Sequence, residues 1–157
     1  MMTGEKILVV DDEPDIRILC KLNLEYEGYR VLEATSVASA SEIAASDQPD
    51  LVLLDVNLPD SACWGFLRQL KAADKTAHIP VVLLSAQTSN ETQVMGWTEG
   101  IVDYITKPFN PALLSRCVAR ALQDTDEVEL ARRRKLILEE LRLRSELMKS
   151  EGCEDGT

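Results

Sequence analysis

Residues 50–59 read DLVLLDVNLP, and no other stretch limits the fold as tightly. The four aliphatics at 51–54 show no polar alternation, which is the pattern of a strand covered on both faces inside a parallel sheet. Pro59 has no N–H to give a ladder, so the strand must end near Asp55. In open parallel sheets, ligands collect beyond the carboxyl ends of the strands. Asp55 therefore stands at the mouth of such a crevice, on a rigid central element.

The remaining chain supplies the neighbours of that strand. Residues 6–10 form an apolar run ending in Asp11 and Asp12, and Pro14 suits a helix first turn. Ile16, Leu19, Cys20, Asn23 and Leu24 recur at helical spacing, with Asn23 as the polar interruption and Gly28 as a stop. Residues 29–34 read as a strand, Ser36 caps a helix running to about residue 45, and Pro49 precedes the central strand. A third helix is predicted over 62–73. IPVVLLS at 79–85 is a second doubly buried strand, ending in Ser85. Asn90 and Gln93 have capping-box spacing for a short fourth helix, weakened by Gly96. IVDYITK at 101–107 reads as the fifth strand, and Asn110 with Pro111 fits the cap and first position of a fifth helix. Five β-α alternations predict an α/β fold: a doubly wound, five-stranded parallel sheet, flavodoxin-like (βα)5.

The 157 residues suffice for one such domain over 1–123 plus a helical extension over 124–150, with a frayed end at 151–157. Between 124 and 149 there is no Pro or Gly, and Glu, Leu, Arg and Lys dominate. Leu130, Ile137, Leu141 and Met148 keep approximate heptad spacing, but Arg134 and Arg144 occupy the alternate seam; Leu136, Leu143 and Leu147 form a second stripe. A two-helix coiled coil, a helix folded back on the domain, and a linker to an output domain all fit this pattern. The net charge of −10 removes any general attraction to nucleic acid or anionic lipid, and the cationic run at 132–135 reads as a solvated helix face. No early apolar segment is long enough for a signal peptide or a membrane span. Cys20, Cys63, Cys117 and Cys153 show no paired spacing and read as reduced thiols, so a cytoplasmic location is expected.

In a parallel sheet Asp11, Asp12, Asp55, Ser85 and Lys107 share one edge. Crowded carboxylates repel one another, and a hard divalent cation such as Mg²⁺ relieves them. A lysine adds a fixed positive charge and a serine adds a hydrogen bond. Such a set suits phosphoryl transfer, with the central Asp55 as the nucleophile that becomes an aspartyl phosphate. Taken singly, each residue has a plainer reading: loop acids, a solvated lysine, a strand-ending serine. Their joint placement at successive strand ends carries the functional one. Trp64 and Trp97 read as partial core or surface, with Trp64 also placed near the pocket by its position in the loop, and His78 reads as a loop residue on the far edge.

ILVVDDEPD (7–15), DLVLLDVNLP (50–59), VVLLSAQ (81–87) and DYITKPF (103–109) resemble the receiver domain of bacterial two-component response regulators, the CheY-like superfamily. The resemblance covers about residues 5–123. It implies that Asp55 accepts a phosphoryl group from a sensor histidine kinase or phosphotransfer protein. It implies Mg²⁺ held by Asp12, Asp55 and the Asn57 main-chain carbonyl, with Asp11 acting through water. Ser85 and Lys107 would contact the phosphoryl oxygens, Ser85 and Tyr104 would form the switch, and Asn57 and Gln87 would tune the phosphate's lifetime. A cis Lys107–Pro108 bond is implied as well. The receiver would signal to a downstream protein target or output domain. A homodimer through the C-terminal helix, or through the face of the fourth helix, fifth strand and fifth helix, is compatible with this role. Direct binding to nucleic acid or membrane is not expected. Where the family carries a small Asp-Gly or Ser-Gly turn, this chain has Ala62 and Cys63, with Trp64 next and Gly65 late, so the loop beside the site is expected to take another path.

Two other classes compete with a phosphoacceptor that is not an enzyme. A haloacid-dehalogenase-type phosphatase needs a second aspartate where Asn57 stands, and room for a cap domain. A receiver-like interaction module without phosphorylation would have no need of the full acidic and basic set. A nucleotide-binding enzyme is weaker still, since neither G-x-G-x-x-G nor a P-loop occurs.

Overall fold

The apolar run at 51–54 lies in the middle strand of a five-stranded parallel sheet, in a computed structural model that describes residues 4–59, 62–86, 89–123 and 126–155. The strands are β1 (Lys6–Val10), β2 (Arg30–Ala34), β3 (Leu51–Asp55), β4 (Val81–Ser85) and β5 (Asp103–Thr106), in the order β2-β1-β3-β4-β5. Each strand is followed by its helix: α1 (Pro14–Tyr26), α2 (Val37–Asp47), α3 (Ala62–Ala72), α4 (Asn90–Glu99) and α5 (Pro111–Gln123). A sixth helix, α6 (Glu127–Asp155), completes the chain. This is the doubly wound, flavodoxin-like arrangement expected. Its strand order reverses between β1 and β3, where such sheets open a crevice.

Every residue of β3 and β4 is buried because both faces of the sheet are covered. Leu8, Val10, Val52, Leu54 and Leu83 face α2, α3 and α4, packing against Ala40, Phe66, Leu67 and Trp97. Ile7, Val9, Leu51, Leu53 and Leu84 face α1 and α5, against Leu24, Leu114 and Val118. Asn23, the polar interruption on α1, has a structural use: its Nδ2 donates to Pro111 O at 3.0 Å and to Ser115 Oγ at 2.8 Å, tying α1 to α5.

Local boundaries follow backbone chemistry. Ser36 Oγ accepts from Ser39 N at 3.2 Å, and Asn110 Oδ1 accepts from Ala112 N at 2.8 Å. The fourth helix differs from the expected Asn90 cap: Ser89 is the capping residue, accepting from Thr92 N at 3.3 Å. Asn90 instead reaches sideways to α6, donating to Ser145 Oγ at 3.5 Å. The fifth strand begins two residues later than expected. Ile101 N is used by Gly96 O at 3.2 Å to close the end of α4, where Gly100 adopts the left-handed φ of 101°.

The tail forms a helix that packs back on the domain along part of its length. Asp126 Oδ1 accepts from Val128 N at 3.0 Å and starts α6 as a helix separate from α5. Leu141 is 3% exposed and, with half-buried Ile137 and Leu138, packs into the cluster that holds Trp97 and Leu83. Leu136, Leu143 and Leu147 stay exposed. The helix extends to Asp155, past the end near residue 149 set by composition; a single Gly152 costs a helix only about 1 kcal/mol. Trp97 is core, Trp64 packs partly buried against the same cluster, and His78 is an exposed loop residue. Among the described residues, no helix is long and apolar enough to cross a membrane.

Two glycines in helices give opposite expectations. A Cβ on Gly96 would lie 2.7 Å from Leu83 Cδ1 and 2.8 Å from Ile101 Cδ1, whereas one on Gly65 meets nothing within 4 Å. Gly96→Ala should lower unfolding free energy by about 1–2 kcal/mol through overpacking. Gly65→Ala should raise it by about 0.5–1 kcal/mol through helix propensity. Urea unfolding of both variants checks this; shifts of the same sign would contradict the close seat of α4 on β4.

Candidate functional site

The parallel register assembles the site. Val10 pairs with Leu54, Asp55 with Leu84, and Ser85 with Thr106. Asp11 and Lys107 are the next residues out from Val10 and Thr106, so they reach Asp55 from the β1 and β5 sides. Their backbones are held by ladder-like bonds: Asp11 N to Ala34 O at 3.1 Å, Val56 N to Leu84 O at 2.9 Å, and Lys107 N to Ser85 O at 2.7 Å. The Lys107–Pro108 peptide is cis, as the resemblance implies.

Lys107 Nζ donates to Asp11 Oδ2 at 2.8 Å and lies 3.2 Å from Asp55 Oδ1. It also reaches Glu13 Oε1 at 3.4 Å. Asp11 and Asp55 are 0% exposed and Lys107 8%. Asp55 Oδ1 accepts a further bond from Asn57 N at 3.0 Å, while its buried Oδ2 has no hydrogen-bond partner. Burial pushes the Asp55 carboxyl above its ordinary value; the Asn57 N–H and Lys107 pull it down, and the Asp11 charge adds to the rise. For Lys107, burial alone would lower the ammonium. The bonds and charges of Asp11 and Asp55 outweigh it and hold the group above its usual range.

Carboxylate oxygens of Asp11, Asp12, Glu13 and Asp55 all lie within 4.8 Å of one another, with Asp12 and Glu13 exposed at the rim. One ammonium cannot balance four carboxylates. An oxygen-only donor set with an orphaned buried oxygen, open to water on one side, fits a hard divalent cation.

Ser85 is buried at the end of β4, and half-buried Tyr104 hydrogen-bonds to it through its hydroxyl. Asn57 is exposed beside Asp55, and Gln87 lies outside the described residues. Asp11, Asp12, Asp55, Asn57, Ser85, Lys107 and Tyr104 thus gather at the strand ends of β1, β3, β4 and β5. Sequence reasoning passed over two participants, Glu13 and Arg17, and named Cys63 only as a departure in the loop beside the site. Glu13 joins the cluster, and its only signal was that it prolongs the acidic run of Asp11 and Asp12. Arg17 Nη1 donates to Asp11 O at 2.8 Å, bracing the loop from one turn into α1. Cys63, where the family's glycine would fall, is buried and donates to Val56 O at 3.3 Å. Burial, then the Asp55 charge, pushes its thiol up to about 12, so it stays a neutral thiol beside the site.

Comparison with known proteins agrees with this geometry. The response regulator receiver domain family matches residues 7–119. The phosphate regulon transcriptional regulatory protein PhoB of Pseudomonas aeruginosa is 38% identical over 124 residues, covering 79% of this chain and 54% of that protein. The transcriptional regulatory protein KdpE of Mycobacterium tuberculosis is 38% identical over 125 residues, with the same coverage of 79% and 54%. The chain thus spans about half the length of the regulators it matches. Among solved structures, the chemotaxis response regulator CheY4 of Vibrio cholerae is 29% identical with a TM-score of 0.71, covering 76% of this chain and 99% of that one. The BeF3-activated receiver domain of RstA from Klebsiella pneumoniae is 30% identical with a TM-score of 0.70, covering 76% and 100%. With the doubly wound sheet and its carboxylate–lysine edge, these matches show that the chain belongs to the response regulator receiver domain family.

Proposed function

We propose that Asp55 is the phosphoacceptor of a two-component phosphorelay, taking its phosphoryl group from a histidine kinase or phosphotransfer protein. The observation that carries this reading is Asp55 Oδ2: a buried carboxylate oxygen with no hydrogen-bond partner, on a carboxylate whose other oxygen is fixed by Lys107 and Asn57. Oδ2 attacks the phosphorus in line, a P–O bond forms, and the P–N bond of the phosphohistidine breaks. The leaving imidazole nitrogen keeps the electron pair and takes up a proton. Asp12, Asp55 and the Asn57 carbonyl would hold Mg²⁺, with Asp11 acting through water. When bound, the ion supplies positive charge against the phosphoryl oxygens. Lys107 supplies a second fixed cation, and Ser85 a hydroxyl donor for another phosphoryl oxygen.

The donor must approach the mouth of the crevice, beside the start of α1. Ile18, Leu22 and Tyr26 make an exposed apolar stripe on that helix, at 54%, 65% and 89% exposure, which offers a donor protein a docking surface. Asn57 and Gln87 are assigned to phosphate lifetime, and Ser85 with Tyr104 to the switch that alters the α4–β5–α5 face. The chain acts as a cytoplasmic signalling module that modifies itself and processes no external substrate. Its matched relatives are transcriptional regulators about twice as long as the matched segment, so a downstream protein or output domain receives the signal. The acidic balance of the chain argues against direct nucleic-acid contact.

Two outcomes test this reading. In the presence of Mg²⁺ the chain should take up one acid-stable, base-labile phosphoryl group from a phosphohistidine donor. Asp55→Asn should take up none while unfolding at an equal or higher urea concentration, because the substitution removes a buried charge. Uptake retained by Asp55→Asn would assign the acceptor elsewhere. Mg²⁺ at about a hundredfold excess over its Kd should stabilise the chain by about 2.7 kcal/mol, read as a rise in Tm. Asp12→Asn should remove most of that rise, and an undiminished rise would take Asp12 out of the metal site.

A further inference from the structure

We propose that α6 is an internal ligand of the α4 face, released when Asp55 is phosphorylated. The inference goes beyond the phosphoacceptor reading and rests on it for the trigger. Apart from an Arg134 anchor, two contact zones join α6 to the region around α4, while Leu130 packs in the other cluster. One is apolar: Leu141, with Ile137 and Leu138, enters the cluster that contains Val94 and Trp97 of α4, Leu83 of β4 and Tyr104 of β5. The other is polar: Asn90 Nδ2 at the first position of α4 reaches Ser145 Oγ at 3.5 Å and Met148 Sδ at 3.8 Å.

Both zones connect to the reacting centre. Asn90 lies five residues after Ser85, so the start of α4 follows the end of β4. Tyr104 shares a hydrogen bond with Ser85 and packs in the cluster that Leu141 enters. In the docked arrangement Ser85 is engaged with Tyr104, and Lys107 with Asp11 and Asp55. A phosphoryl group on Asp55 would recruit both Ser85 and Lys107. It therefore competes with the arrangement in which α6 is docked.

The docking is built to be reversible. Its polar bonds to Asn90 are long, and its apolar contact with the α4 cluster rests on Ile137, Leu138 and Leu141. Its remaining anchor is poorly matched. Arg134 Nη2 reaches Gly100 O, at the C-terminal end of α4, only at 3.4 Å, and its buried Nε has no hydrogen-bond partner. Arg134 also stands near half-buried Lys71, which donates to Ile79 O at 3.0 Å. Burial, then the Arg134 charge, brings the Lys71 ammonium down to about 8. Two cations close together at the seam limit the strength of the contact. By reciprocity, whatever loosens α6 must tighten binding of a phosphoryl mimic at Asp55.

Hydrogen exchange on the full chain, with and without beryllium fluoride and Mg²⁺, tests the proposal, and a bound ¹⁹F resonance reports occupancy of Asp55 independently. Occupancy should speed exchange at residues 134–148 by about tenfold while the amides of β3 keep their protection. Leu141→Ala should speed exchange there without the mimic and bind beryllium fluoride about fivefold more tightly. If Leu141→Ala unfolds, Asn90→Ala makes the same comparison without touching the core. A bound ¹⁹F signal with unchanged exchange at 134–148 would overturn the proposal and leave the phosphoacceptor reading standing. Absence of any bound signal would overturn both. Unchanged mimic affinity in the loosened variants would overturn the coupling.

Discussion

The structure depends on one buried ammonium. Lys107 sits between Asp11 and Asp55 at the carboxyl edge of the sheet, and without it two fully buried carboxylates would face each other unpaired. Breaking such a pair by removing one partner typically costs about 3–5 kcal/mol. The three groups come from strands far apart in sequence, so their meeting requires the parallel register to be correct to the residue. The same contact explains why the site is poised. Lys107 occupies Asp55 Oδ1 but leaves Oδ2 without a partner, and the rim acids Asp12 and Glu13 add charge that Lys107 cannot balance. The edge is stable enough to fold and short of positive charge in the direction from which a cation and a phosphoryl group would come.

Much of this was legible in the chain, because strand burial and strand-end chemistry are local in sequence. The apolar runs at 7–10, 51–54 and 81–84 announce doubly covered strands, and whatever follows each of them must fall on one edge. Asp11, Asp55 and Ser85 could be named on that ground, and Lys107 from the end of the mixed run IVDYITK at 101–107. Glu13 could not: beyond the strand end the backbone turns into α1, and periodicity no longer says where a side chain points. Asn23 looked like a fault in an apolar face because its partners, Pro111 and Ser115, are about ninety residues away. The capping residue of α4 was misplaced by one position for a similar reason. Asn90 has the spacing of a cap, but Ser89 holds the extended backbone that a cap needs, and Asn90 is engaged by α6.

Cys63 shows how a departure from a family pattern can be absorbed. At Ala62 and Cys63, where the family resemblance leads one to expect a small residue and glycine, this chain has α3 and turns a buried thiol back onto the Val56 carbonyl. That bond satisfies a main-chain acceptor one residue beyond Asp55. The thiol stays neutral so close to the Asp55 carboxylate because burial and that charge both disfavour a thiolate. An acidic side chain at the same position would add another negative charge to an edge already overloaded with them. Trp64 packs against the hydrophobic cluster, so it anchors α3.

The tail follows a different logic from the domain. The ion pairs of Arg142 with Glu139 and Glu146, and of Arg144 with Glu140, are exposed and repeat at helical spacing. Such pairs contribute a few tenths of a kcal/mol each to a helix and little to its docking. Helix and docking are therefore supported by separate interactions: along α6 by charge pairing and propensity, across to α4 by Leu141 and its neighbours. A 29-residue helix with that internal support can stay partly helical once it leaves α4, but its amides lose the protection that tertiary packing gives them. Undocking would also uncover the Leu141 row on the side opposite the exposed Leu136, Leu143 and Leu147. Of the residues at heptad spacing, Ile137 and Leu141 pack against the α4 cluster, Leu130 packs in the other cluster, and Met148 is exposed.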